Sequence, residues 1–308
     1  MLPVISILSA LFFWSGCKES SSELPASRPQ PKTAGGLNSK NRLGERHLRS
    51  QRYQPALKAF SEALEGAEDS VRAYVGLSHV HLELGDLARA EETLGLASAL
   101  DTTRSEVFYA RALLLLRKYS TTHRGPLLDQ GLVAARQAIS LAPDQKAYFY
   151  ILGSLYSYRG DRHSTHEGDL DSAETAYLRA LKLDPRLAAA YGRLGSIYKY
   201  QGHFAEAENV YRKQLELQPQ NAQAMTDLAI LSRNDGRISE ALQLLEEAVR
   251  LDTGLTAAYL NLGQLYLSAG RTAAGQQALQ RFRELNARDL QQKERRAQEQ
   301  AKKFKGSE

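Results

Sequence analysis

From residue 37 to residue 289, aromatic, small and polar positions return in a fixed order every 34 residues. Three stretches show it at once: AYFYILGSLYSYRG from Ala147, AAAYGRLGSIYKYQG from Ala188 and TAAYLNLGQLYLSAG from Thr256. In each, an aromatic residue is followed at fixed spacing by Leu-Gly, then Tyr, then a second Gly four residues later. A period of this length marks a chain of stacked supersecondary units rather than a single globular core. The residues between the punctuating glycines and prolines are mostly strong helix formers, so each unit is predicted to be a pair of amphipathic helices.

Laid end to end, the units run 37–70, 71–104, 105–145, 146–187, 188–221, 222–255 and 256–289; the third is 7 residues longer than the standard 34 and the fourth 8 longer. Each recurring residue has a physical task. Glycine at the eighth position and alanine at the twentieth and twenty-seventh let two antiparallel helices approach closely, while Leu, Phe and Tyr fill the gaps. Gly85, Gly160, Gly202, Gly236 and Gly270 are expected to end the first helix of their units in the left-handed conformation. Pro143, Pro185 and Pro219 are placed to stop the second helix. Thr102 and Thr253 replace the proline in two units, where a turn or capping role is expected. No unit can bury its apolar face alone, and stacking supplies one continuous core.

This order of residues resembles the tetratricopeptide-repeat (TPR) family, most fully in the unit with Tyr191, Leu194, Gly195, Tyr198, Gly202, Phe204, Ala207, Tyr211 and Pro219. The resemblance covers 37–289. It implies an all-α, right-handed α-solenoid of about seven helix hairpins, with a C-terminal capping helix in the basic segment 290–308. It also implies that positions 2, 5, 6, 9, 12 and 13 of each unit line a concave groove for a protein or peptide. Transferred residue by residue, the candidate groove residues are Tyr109, Arg117, Tyr150, Tyr158, Arg193, Lys199, Tyr200, Arg233 and Asn234, with Ser154 and Asp227 beside them. Tyrosine with arginine and lysine suits an extended or helical peptide carrying acidic groups; packing of the same rings between helices is the alternative. The family's carboxylate clamp is not reproduced, since Asn41 and Arg42 in the first unit meet Gly76 and His79 in the second.

The apolar run Leu2 to Trp14 is short for a bilayer span and suits the core of an export signal. It leads into Ser15-Gly16-Cys17, which resembles the lipobox of bacterial lipoproteins, and Cys17 is the only cysteine in the chain. Residues 1–17 are therefore predicted to be a lipoprotein-type signal with Cys17 lipidated; a plain cleaved signal or a buried apolar N-terminus are the alternatives. The Ser-, Pro- and Gly-rich segment 18–36 reads as a disordered linker. Lys18 after the cysteine favours, by analogy with enterobacterial sorting, an outer-membrane anchor facing the periplasm.

Both lengthened units carry their extra residues between the two helices, near 119–126 and 161–168, as polar loops. Asp161, His163, His166, Glu167, Asp169 and Asp171, with His123, offer metal-donor atoms, but their spacing matches no standard site. No metal and no other cofactor is expected.

A net charge of +5 and a pI near 9.1 are mild for 308 residues and come with no nucleic-acid-binding motif, so no nucleic-acid partner is expected. One cysteine excludes an internal disulfide. No phosphate-binding loop, nucleophile elbow or metalloprotease motif occurs, and the chain is not expected to be an enzyme. The resulting expectation is a non-catalytic scaffold, lipid-anchored in the bacterial cell envelope and assisting assembly of an envelope complex. The alternative is a soluble TPR adaptor or co-chaperone without the anchor.

Overall fold

The computed structural model describes residues 39–66, 68–162 and 168–305. The predicted signal, its Cys17 and the linker before residue 37 lie outside the described residues, as does the centre of the second insertion. Among the described residues the regular elements are fourteen α-helices. The chain divides into two compact units, one up to Ala190 and the other from Tyr191.

The first unit holds α1 (Ser39–Arg49), α2 (Tyr53–Glu65), α3 (Ser70–Glu83), α4 (Leu87–Leu100), α5 (Ser105–Thr122), α6 (Pro126–Leu141), α7 (Lys146–Arg162) and α8 (Asp169–Leu183). Each odd-numbered helix pairs with the next to form a hairpin, and each even-numbered helix then packs on the first helix of the following hairpin. The first helices α1, α3, α5 and α7 also touch side by side. The second unit continues with α9 (Ala188–Gln201), α10 (Phe204–Leu217), α11 (Ala222–Asn234), α12 (Ile238–Leu251), α13 (Thr256–Ser268) and α14 (Thr272–Lys305). It repeats the same pairing, α11 with α12 and α13 with α14.

The small residues do what the repeat predicted. Ala56, Ala63, Ala90, Ala97, Ala138, Ala173, Ala180, Ala207, Ala241 and Ala248 are all fully buried at the hairpin seams. A Cβ on Gly44 would stand 2.7 Å from the Phe60 ring, and one on Gly153 would stand 2.9 Å from Tyr177. Each aromatic ring therefore fits only because its neighbour has no side chain, and the helices close to interior packing density. Leu77 and Val80 join Phe60 in one apolar cluster; Leu245, Leu262 and Leu265 form another in the second unit.

The helix ends are also local chemistry. Asp69, Asp86 and Asn221 each accept the backbone N–H three residues on, satisfying a donor that the first turn leaves open. Gly85, Gly202, Gly236 and Gly270 take the left-handed conformation as expected. The helices α6, α8 and α10 each stop two residues before Pro143, Pro185 and Pro219. In the units without that proline, aspartate rather than threonine makes the turn. Asp101 accepts the Thr103 N–H at 2.7 Å and Asp252 the Gly254 N–H at 2.8 Å.

Three further expectations change. Gly160 does not end its helix: α7 runs on to Arg162, and Gly168 is the residue in the left-handed conformation. The first insertion is mostly helix, because α5 gains an extra turn to Thr122 and leaves only residues 123–125 as a connection. Buried Tyr119, ring to ring with Tyr158 and His123, holds that turn down. Finally, 290–305 is no separate capping element, since it continues α14 without a break into a helix of 34 residues.

Candidate functional site

The first helices of the first unit present an inner face that is largely filled. Tyr109 is 9% exposed and Tyr150 2%. The Tyr109 ring centre lies 5.8 Å from that of His79, nearly perpendicular to it, and 4.9 Å from that of Tyr148, and the Tyr150 and Tyr177 ring centres stand 5.4 Å apart. These two candidate groove residues are therefore interior packing, not ligand contacts. The physical reason is crowding: α3, α5 and α7 touch side by side, and rings of this size bridge the gap. Burial raises the Tyr109 hydroxyl well above its usual range and takes Tyr148 up to about 12, while it holds His79 down at about 4. Four hydroxyls of this interior find partners in place. Tyr177 donates to Ser154 at 3.1 Å, Ser154 donates to the Tyr150 carbonyl at 3.0 Å, and the Ser105 and Tyr148 hydroxyls stand 3.0 Å apart. Arg117 and Tyr158 are half-buried.

Around the fourth repeat, Arg159 clamps the structure. It donates to both carboxylate oxygens of buried Asp169, at 2.6 and 2.7 Å, and to Asp129 at 2.7 Å. The hydrogen bonds to Asp169 hold the guanidinium well above its ordinary range. Asp169, named above among donors near the insertion, is thus committed to tying α7 to α8.

The second unit is more open. Tyr200 is 67% exposed, and Asn234 is exposed. Arg193, Lys199 and Arg233 are half-buried. A regular rung crosses this face, from the twelfth position of one repeat to the sixth of the next. Lys199 donates to Asp227, which also accepts from Gln223 at 2.9 Å, and Arg233 donates to Asn261 at 3.3 Å. Two candidate charges, Lys199 and Asp227, therefore hold each other. Sequence reasoning missed this pairing because its partners lie 28 residues apart. The groups presented outward are Tyr200 and Asn234.

One further exchange shapes this face. Gln214 stands where an alanine is usual, and it is buried. Its amide lies 2.7–2.8 Å from where a Cβ on Gly192 would be. Gly192 holds the fifth position of its repeat, which is tyrosine in the two repeats before it. On the other side of the first unit, a groove of about 590 Å³ opens between α4, α5 and α6, lined by Leu94, Gly95, Phe108, Leu114, Val133 and Ala134 among others.

Sequence models described as tetratricopeptide repeat match residues 47–114, 165–187, 193–255 and 232–298. The chain is 30% identical over 168 residues to cellulose synthase operon protein C of Xanthomonas axonopodis pv. citri. That alignment covers 54% of this chain and 10% of the relative, so the chain spans about a tenth of that protein's length. Among solved structures, it is similar to TTC0263, a thermophilic TPR protein of Thermus thermophilus, with a TM-score of 0.54 and 22% identity, covering 64% of this chain and 98% of the other. It is similar also to PilW, a widely conserved type IV pilus biogenesis factor, with a TM-score of 0.57 and 19% identity, covering 68% of this chain and 91% of the other.

Proposed function

This chain is a tetratricopeptide-repeat protein, a protein-binding scaffold, and from that premise we propose that it is lipid-anchored through Cys17 in a bacterial cell envelope and assists assembly of an envelope complex. The observation that carries the anchor is the placement of the chain's only cysteine: it closes an apolar run directly after Ser15 and Gly16. A thioether-linked lipid there needs a thiol at the end of an export signal and small residues before it, and both are present. Lys18 supports the outer membrane, with the repeats on the periplasmic side. The bacterial proteins to which the chain is similar, one named for a cellulose synthase operon and one for pilus biogenesis, support an assembly role.

The ligand is a protein or peptide, taken up on the first-helix face of the second unit around Tyr200 and Asn234. An amphipathic ring gives large contact area at low entropic cost. The paired Lys199 and Asp227 frame that contact and set its polarity. Radiolabelled palmitate fed to cells tests the anchor. The label is expected on the wild-type chain and absent from Cys17→Ala, whereas equal labelling of the two removes the anchor.

A further inference from the structure

Helix α1 carries Arg42, Arg46 and Arg49 three and four residues apart, so their guanidinium groups share one stripe of the helix. All three are exposed, and Arg52, also exposed, follows the turn after the helix. The remaining side of α1 is the one that packs. Asn41, Gly44 and Leu48 are buried, Gly44 lies against the Phe60 ring of α2, and Lys40 pairs with Glu62. The nearest carboxylate, Glu45, is taken by Arg72 at 2.6 Å and reaches Arg49 only at 3.8 Å. Among the described residues no carboxylate pairs with Arg42 or Arg46.

The stripe is held on a fixed helix. Glu68, from the connection between α2 and α3, accepts the backbone N–H groups of Lys40 and Asn41 at 3.0 Å each. Asn41 donates its side-chain amide to the Asp69 carbonyl at 3.2 Å. A carboxylate from a later turn therefore caps the first helix of the array, placed where the helix dipole favours negative charge.

We propose that this arginine stripe docks on anionic phospholipid headgroups and seats the first hairpin against the membrane that holds the anchor; the inference rests on the Cys17 reading above. The chain between Cys17 and Ser39 is 21 residues. At about 3.3–3.6 Å per residue a segment of that length reaches at most roughly 70 Å, which leaves α1 able to meet the bilayer. A lipid chain combined with a basic cluster is a recognised pairing of membrane signals, and each basic residue near an anionic surface adds roughly fivefold to partitioning. An acidic peptide is the weaker fit. On α3, which packs against α1, Val75, His79 and Leu82 are buried, so that helix offers a peptide few side chains to grip. A lipid surface requires only a row of cations.

The test uses the chain from residue 17 onward with Cys17→Ala, which keeps every described residue. Its co-sedimentation is measured with vesicles containing phosphatidylglycerol and with pure phosphatidylcholine vesicles. Partitioning onto the anionic vesicles alone is expected, weakening as salt rises. R42Q/R46Q/R49Q is expected to lower it about a hundredfold with helicity unchanged. R89Q/R124Q/R250Q, which removes the same charge from exposed arginines elsewhere, is expected to bind within a few-fold of the parent. Equal losses in the two variants, or equal binding to neutral vesicles, would overturn the proposal. Capture of a polyglutamate peptide that is lost in R42Q/R46Q/R49Q, without vesicle binding, assigns the stripe to an acidic polypeptide instead. Because the chain tested bears no lipid, failed palmitate labelling with vesicle binding intact removes the anchor and leaves the stripe.

Discussion

The two halves of the array fill the fifth position of the repeat with side chains of different size. In the third and fourth repeats it carries the buried rings Tyr109 and Tyr150, where the first two repeats carry Asn41 and Val75. In the second unit it carries Gly192, buried Thr226 and Leu260, and the exposed candidates of that face, Tyr200 and Asn234, stand at the thirteenth position. The hairpin frame is the same in both, with alanines at the seam and glycines under the rings. The fifth position is thus interior at Tyr109, Tyr150 and Thr226 alike, and exposure on the first-helix face comes at the thirteenth. A tyrosine counted as a ligand contact on one repeat is a structural ring on another.

The contrast can be broken hardest in the first unit. Tyr150→Ala is expected to cost about 3–5 kcal/mol, the range for emptying a large buried ring site. Amide hydrogen exchange in α5 to α8 reads that loss, and a loss below about 1 kcal/mol would mean that the ring is not core. Next comes acid. Burial holds His79 at about 4 against an ordinary 6.5, so the unfolded chain binds its proton more readily than the folded one. Stability from this group is complete above about pH 6.5 and is lost as pH falls towards 4, by up to roughly 3 kcal/mol. Denaturant melts across that interval should show the slope, and His79→Leu should flatten it; an unchanged slope in the variant assigns the effect elsewhere. The smallest effect on stability belongs to the second unit. Tyr200→Ala with Asn234→Ala is expected to stay within about 0.5 kcal/mol of the parent, as surface changes do. The same pair should lower crosslinked partner capture in the native envelope about tenfold or more. Retained capture moves the binding face away from these residues.

Most of the hairpin frame was legible because its signals are local. Gly85, Gly202, Gly236 and Gly270, and the prolines after α6, α8 and α10, act on the turn where they stand. The misreadings came where a distant contact overrides local signals. Gly160 looked like a helix end, yet Arg159 ties α7 to Asp169 and the helix continues past it. The extra turn of α5 follows from Tyr119 finding a buried place, which no spacing within that segment reveals. At the candidate face, register told which residues belong to it but not which are covered. Coverage depends on how closely neighbouring first helices approach, and pairings such as Lys199 with Asp227 join adjacent repeats.

The exchange between Gly192 and Gln214 couples the two helices of one hairpin. A Cβ at 192 would meet the amide at the far end of the Gln214 side chain, so a larger residue there needs that flexible group to swing aside or to be shortened. The space over Gly192 is thus held by a side chain from the opposite helix, and a change at either position is felt at the other.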